Sequence, residues 1–127
     1  MRVFEVMTEG VRTVLPGIAA SEAREVMRSS GIRHLVVKSG PNILGVISER
    51  DVMPGGRVAR SGGRTVGDLM THHVTTIDRE ETVKKAANLM RGRTIGCLPV
   101  TDRGRLVGIV TISDLLQLVG EGIDRPA

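Results

Sequence analysis

The sequence predicts an α+β fold in which two β-α-β-β-α units pack with pseudo-twofold symmetry. The main observation is an internal repeat, because an offset of 63 residues aligns the chain with itself without a gap. Identical pairs recur along the alignment, among them Met7/Met70, Gly45/Gly108 and Asp51/Asp114. Internal repeats outrank local signals in deciding architecture, and two units of this size must bury their apolar faces against each other.

The first repeat is expected at residues 1–60 and the second at residues 61–127. Hydrophobic periodicity and turn residues predict the elements of the first repeat. They are a turn at Glu5–Thr8, a strand at Val11–Leu15, a helix with the stripe Ala20, Ala23 and Met27, strands at His34–Lys38 and Ile43–Ser48, and a helix from Glu49.

The second repeat shows the same order of elements. Asp78, with Glu81 three residues later, predicts a helix cap. The remaining elements are a helix with the buried face Val83, Ala86, Ala87 and Met90, strands at Cys97–Thr101 and Arg105–Thr111, and a final helix at Ile112–Val119 that stops at Gly120. A turn at residues 102–104 joins the two strands.

Composition excludes several classes of protein. The net charge is +4, but the charges are mixed along the chain, and Phe4 is the only aromatic residue. Without aromatic side chains for base stacking, nucleic acid is a poorly supported partner. Cys97 is the single cysteine, which favours a reducing compartment, and no apolar run reaches membrane-spanning length. We therefore expect a cytoplasmic protein without a membrane partner.

Each repeat closes on the pattern Gly-apolar-apolar-Ser/Thr-x-x-Asp, at residues 45–51 and 108–114. On a structural interpretation, the hydroxyl caps backbone N–H groups and the aspartate favours the positive end of a helix. On a functional interpretation, both groups face a cleft at the start of a helix, where anions and sugar hydroxyls bind. The occurrence of the pattern in both repeats favours the functional interpretation.

Taken in order, the motifs resemble the CBS domain pair, or Bateman module, over residues 3–119. The resemblance is carried by both closing patterns, the N-terminal turns Val6–Thr8 and Leu69–Thr71, and the runs Ile32–Val37 and Ile95–Val100. The first repeat departs from the family pattern by having Val36 where the second has Pro99, which should change a strand edge and leave the site intact.

The resemblance implies adenosine-containing ligands in clefts between the repeats, with AMP, ADP or ATP as a regulatory ligand. It assigns the ribose hydroxyls to Asp51 with Ser48, and to Asp114 with Thr111. A carboxylate suits a vicinal diol because it offers two charged acceptor oxygens.

The resemblance also implies adenine and phosphate contacts. The adenine contacts would come from Glu5, Gly10, Ile32 and Arg33 in one copy and from Asp68, His73, Ile95 and Gly96 in the other. Core packing explains Ile32 and Ile95 equally well. The phosphate candidates are Arg33, His34, Arg50, Arg57 and Arg60, although a solvated salt bridge is an equal alternative for each arginine. Because these basic groups belong to the first repeat and its connector, the two sites should differ.

Three hypotheses for function remain open. The leading one is a stand-alone sensor of adenine nucleotide that signals to an unidentified target protein. The alternative is a homodimerisation or protein-interaction module with vestigial clefts, and a nucleic-acid accessory is supported by charge alone. Neither an enzyme nor a metal site is expected, because no nucleophile–base pair or Cys/His/Asp cluster occurs. The expected dimer contacts are Met27, Met90, Leu115, Leu116 and Leu118.

Overall fold

The computed structural model describes residues 1–52, 64–72 and 74–121. The chain divides into two compact units. The continuous unit comprises Arg12–Val74, and the discontinuous unit combines Met1–Val11 with Thr75–Ala127. Each unit therefore takes its N-terminal turn from the other sequence repeat. The division of the repeats at residues 60 and 61 stays a prediction, since it falls outside the described residues.

The predicted α+β class is confirmed. The described elements, in chain order, are a 3-10 helix Val3–Glu5, β1 Thr8–Glu9, β2 Thr13–Val14, α1 Ala20–Ser30, β3 His34–Ser39, β4 Asn42–Ser48, α2 Glu49–Val52, α3 Val66–Leu69, β5 Ile77–Asp78, α4 Val83–Arg93, β6 Cys97–Asp102, β7 Arg105–Thr111 and α5 Ile112–Gly120. The turn between β6 and β7 is confirmed, with Arg103 and Gly104 at positive φ values of 53° and 81°.

The continuous unit contains a three-stranded sheet in the order β2-β3-β4. Strand β2 is parallel to β3, and β3 is antiparallel to β4. The predicted helical stripe is confirmed, because Ala20, Ala23 and Met27 are buried in one core with residues of both long strands. This packing fixes α1 against the sheet, and α1 ends at Gly31 in the left-handed conformation that glycine adopts without strain.

The discontinuous unit contains a four-stranded sheet in the order β1-β7-β6-β5. Its core joins Val3 of the N-terminal 3-10 helix to Ala86 and Met90 of α4 and to the buried residues of the sheet. Main-chain hydrogen bonds fasten the N-terminus to this unit, with Val3 N donating to Glu81 O at 2.8 Å and Phe4 N donating to Arg79 O at 3.1 Å.

The departure at Val36 has a visible consequence in the sheets. The parallel ladder of β2 and β3 includes the pair Thr13–Val36, and Val36 N donates to Arg12 O at 3.2 Å. The ladder of β5 and β6 begins one position later, at Ile77–Val100. Proline has no N–H to donate, so the ladder of the second repeat starts after Pro99.

Four local predictions were wrong. Asp78 does not cap α4, because the N-cap is Thr82, whose hydroxyl accepts from Lys85 N at 3.1 Å. The first strand covers only Thr13–Val14, and Ala87 is exposed. Met27 and Met90 are 2% and 4% exposed inside the cores, so they do not provide dimer contacts.

Candidate ligand-binding sites

The closing motif of the continuous unit folds as a tight turn from β4 into α2. One oxygen of the Asp51 carboxylate, Oδ2, accepts from Ser48 N at 2.9 Å and from Ser48 Oγ at 3.1 Å. Both residues are half-buried. The predicted pairing of Ser48 with Asp51 is therefore present, and the first helical turn is held by the carboxylate as a cap.

The closing motif of the discontinuous unit makes a reciprocal capping box. Thr111 N donates to Asp114 Oδ2 at 2.8 Å, while Asp114 N donates to Thr111 Oγ1 at 3.2 Å. Thr111 and Asp114 are also half-buried. The Thr111 hydroxyl accepts from a backbone N–H, whereas the Ser48 hydroxyl donates to its aspartate. The two motifs are therefore similar but not identical.

The capping hydrogen bonds use only one carboxylate oxygen of each aspartate. Within the described residues, Oδ1 of Asp51 and Oδ1 of Asp114 accept no hydrogen bond. A carboxylate oxygen has two lone pairs and bonds strongly to hydroxyl donors. The structural and functional interpretations of the motif are thus compatible, because the cap occupies Oδ2 and leaves Oδ1 available to a ligand.

The second strand of each repeat places a side chain opposite the hydroxyl residue of the closing motif. His34 is the register partner of Ser48, and Cys97 is the partner of Thr111. Directly opposed residues of antiparallel strands share one face of the sheet. Burial raises the pKa of the Cys97 thiol from 9.0 to about 11, so this position carries a neutral group in the discontinuous unit.

The two isoleucines that precede these strands support the core. Ile32 and Ile95 are half-buried and pack against the cores of their respective units. Each N–H closes the end of the preceding helix, with Ile32 N donating to Met27 O and Ile95 N to Met90 O, both at 3.0 Å. Their partial exposure leaves an aliphatic edge beside the motif, so an adenine contact stays a prediction.

The residues after the isoleucines differ between the units. Arg33 and Gly96 use their carbonyl groups to start the closing helices, accepting from Glu49 N at 2.8 Å and from Ile112 N at 3.0 Å. An adenine contact by the backbone of Arg33 or Gly96 stays a prediction.

The charge at these positions also differs between the two units. The Arg33 guanidinium lies 3.8 Å from a Glu49 carboxylate oxygen, and both side chains are well exposed. At the equivalent position of the discontinuous unit, a Cβ on Gly96 would lie 4.0 Å from Ile112 Cδ1. An exposed pair is weak and screened, so Glu49 competes only modestly for Arg33. Sequence reasoning missed this contact between Arg33 and Glu49.

The other predicted contacts divide between the units and the undescribed residues. Gly10 is exposed at φ 67° and belongs to the discontinuous unit with Ile95 and Gly96, so grouping it with Ile32 by repeat does not match the compact units. Arg50 is exposed on α2. His73, Arg57 and Arg60 lie outside the described residues.

The acidic residues of the N-terminal turns act as caps. Glu5 accepts from Arg2 N at 2.6 Å, and Asp68 accepts from Thr65 N at 3.1 Å. The backbone hydrogen bond from Thr65 lowers the pKa of the Asp68 carboxyl below its usual value. Their adenine role remains a prediction, and sequence reasoning missed this capping role, which Thr65 three residues before Asp68 would have indicated.

Two further features of the described residues bear on the site. No group of three or more His, Cys, Asp and Glu residues there is arranged to bind a metal ion. Among the same residues, no helix has the length and apolar character needed to cross a membrane.

The sequence profile of the CBS domain matches the chain twice, at residues 3–54 and 66–121. The chain belongs to the CBS domain family. Both matched segments contain a complete closing motif, so the resemblance predicted from the repeats is confirmed. The four motif residues described above therefore lie within the matched CBS domain segments.

Solved CBS domain structures agree with this fold. The CBS domain pair of protein MJ0100, in complex with 5-methylthioadenosine and S-adenosyl-L-methionine, is 27% identical and aligns with a TM-score of 0.86, covering 96% of this chain and 98% of that chain. The structure of CBSX2 in complex with AMP is 25% identical, with a TM-score of 0.77 and 98% coverage of both chains. Both neighbours bind adenosine-containing molecules.

A curated relative places the CBS domains within a larger enzyme. A homoserine O-acetyltransferase from Methanohalobium evestigatum is 31% identical over 102 residues, which is 80% of this chain and 20% of that protein. This chain thus spans about a fifth of the relative's length. The similarity concerns the CBS region and does not transfer the acetyltransferase activity to this chain.

Proposed function

We propose that this chain is a regulatory CBS module that binds an adenine nucleotide of the AMP, ADP or ATP type and acts on a target protein in the cytoplasm without catalysis. The observation that carries the proposal is that, among the described residues, Oδ1 of Asp51 and of Asp114 accepts no hydrogen bond while Oδ2 is engaged. A carboxylate held in place through Oδ2 can accept from ribose hydroxyls through Oδ1. The adenosine-containing ligands of the two structural neighbours support the choice of ligand.

The phosphate groups of the ligand should favour the site of the continuous unit. Arg33 directly precedes β3, His34 begins β3 opposite Ser48, and Arg50 lies on α2 next to Asp51. The corresponding positions of the discontinuous unit hold Gly96, Cys97 and Ser113, which are uncharged near neutral pH. Cations raise affinity for phosphates more than for neutral nucleosides, so the sites should rank adenosine and its nucleotides differently.

A thermal-shift screen followed by calorimetry tests the proposal. AMP, ADP, ATP, NAD, S-adenosylmethionine and a short RNA would each be added to the unaltered chain, since a ligand that binds the folded state raises the melting temperature. We expect stabilisation by at least one adenine nucleotide and a loss of binding on replacement of both aspartates with asparagine. Binding that survives this double replacement would contradict the assignment of the site.

A second proposal, homodimerisation, is supported by the last helix. No residue of α5 is buried, although the helix is predominantly apolar. Ile112, Leu116 and Val119 are 46%, 64% and 56% exposed and follow one another at helical spacing. Covering such a stripe with a second copy would remove apolar surface from water.

Light scattering or sedimentation tests the dimer. We expect a dimer at micromolar concentration that Leu116→Glu converts to a monomer, because the substitution places a charge within the apolar stripe. Exposed Lys84→Glu on α4 is the matched control and should leave the mass unchanged. A monomeric parent chain would refute the proposal.

A further inference from the structure

In the discontinuous unit, β1 and the residue before it approach the closing strand β7 very closely. Thr8 pairs with Ile109, and Glu9 pairs with Gly108. A Cβ added to Gly108 would lie 2.7 Å from Met7 Sδ and 2.9 Å from the carbonyl oxygen of Thr8. A real Cβ does not approach other atoms so closely, so the absence of a side chain at residue 108 permits the contact.

The continuous unit repeats the arrangement with residues from the other repeat. A Cβ on Gly45 would lie 2.6 Å from both Met70 Sδ and the carbonyl oxygen of Thr71. Thr71 N donates to Val46 O at 2.9 Å, and Val46 N donates to Thr71 O at 3.3 Å. Both methionines are half-buried, and each thioether lies over the glycine of a closing strand.

Each contact lies close to a ribose motif along the strand. Gly45 and Gly108 both precede the hydroxyl residue of their motif, Ser48 or Thr111, by three positions. Strand residues rise about 3.3 Å each, so about 10 Å of paired strand separates the contact from the motif. A displacement of the segments Met7–Glu9 or Met70–His72, named here the leading segments, would therefore reach the edge of the site.

We infer that the Gly108–Met7 and Gly45–Met70 contacts are positioning devices, each of which tunes the nucleotide site of its own unit. The first repeat's leading segment then controls the site of Thr111 and Asp114, and the second repeat's leading segment controls the site of Ser48 and Asp51. Each leading segment thus controls the motif of the other repeat, although the contact and the motif belong to one compact unit. The inference rests on the proposed function for the identity of the ligand.

The direct test replaces each glycine with alanine and measures both sites separately. AMP affinity is measured in an Asp51→Asn background for the site of Asp114, and in an Asp114→Asn background for the site of Asp51. Gly108→Ala should weaken AMP at the first site by about tenfold or more, because small misplacements in a binding site are costly. Gly45→Ala should do the same at the second.

Hydrogen exchange supplies a readout that does not depend on ligand. Gly108→Ala should speed amide exchange in residues 7–9 and leave Thr71 protected, while Gly45→Ala should expose Thr71 and leave residues 7–9 protected. Gly92→Ala is the control, because Gly92 lies on α4 and a Cβ there meets nothing within 4 Å. This variant should change neither exchange nor AMP affinity.

Several results would overturn the inference. Equal losses of AMP affinity at both sites, or accelerated exchange in both leading segments, would show general destabilisation. Selective exchange without a selective loss of affinity would show that the contacts do not tune the site. If a glycine variant fails to fold, Met7→Ala and Met70→Ala remove the thioether without adding a clash and should show the same selectivity. Absence of AMP binding by the unaltered chain would refute the proposed function instead.

Discussion

Replacing Asp114 with asparagine separates the capping role of the motif from its proposed binding role. Asparagine retains one side-chain oxygen, which can accept from Thr111 N as Asp114 Oδ2 does at 2.8 Å. The substitution removes the charge near the positive end of α5, which costs about 0.3–1 kcal/mol of stability. The open Oδ1 becomes an NH₂ group, which donates and cannot accept a ribose hydroxyl.

The expected loss of binding is larger than the expected loss of stability. Hydrogen bonds to charged groups contribute about 1.5–3 kcal/mol, so AMP affinity in this site should fall roughly ten- to hundredfold. The matched ligand is 2′-deoxy-AMP, which lacks one of the two ribose hydroxyls. It should bind the parent chain weakly and lose little more in the variant. Calorimetry with both ligands and both proteins closes a double-mutant cycle.

The control for this cycle is Asp78→Asn. Asp78 Oδ1 accepts from Glu80 N at 2.8 Å, so the same substitution disturbs a carboxylate–backbone hydrogen bond away from the motif. This variant should bind both ligands as the parent does. A coupling energy near zero between Asp114 and the 2′-hydroxyl would refute the binding role and leave the motif as a helix cap.

Three further predictions concern charge, ionisation and capping. Arg33→Ala with Arg50→Ala should weaken AMP but not adenosine in calorimetry, and should reduce the salt dependence of AMP binding; equal losses for both ligands would assign the arginines to the fold. Cys97 should react slowly with iodoacetamide at pH 8, and stability should fall between about pH 9 and 11, because the unfolded thiol ionises first; a C97A variant that kept this slope would refute the assignment. Thr82→Ala should cost about 1 kcal/mol in urea denaturation, and no change would deny it the N-cap role.

The sequence predicted most of the strands and both closing motifs because the signals there are local and repeated. The strand at Arg105–Thr111 and the start of α2 at Glu49 agree with the structure to the residue. The error at Asp78 came from two competing acceptors, since Asp78 and Thr82 are both good N-cap residues, and only Asp78 has an acidic residue three positions on. Thr82 is the N-cap because strand β5 includes Asp78 and the helix therefore starts later.

The burial of Met27 and Met90 was missed for a different reason. A helical stripe shows that residues face the same way, but it does not show whether they meet a sheet or a second protein. Here both methionines meet the sheet of their own unit, and the surface left for a partner is the apolar stripe of α5.

The grouping of the site residues could not be predicted from the repeat alone. Sequence alignment places Gly10 and Ile32 in one copy, but the pairing of Glu9 with Gly108 draws the N-terminal turn to the other copy's closing strand. Glycine at residues 45 and 108 was visible only as part of a motif, and its contact partners, Met7 and Met70, were visible only as a matching pair. Their packing explains why both features recur at the same offset: a glycine without its methionine leaves a gap on the strand, and a methionine without its glycine has no room to approach it.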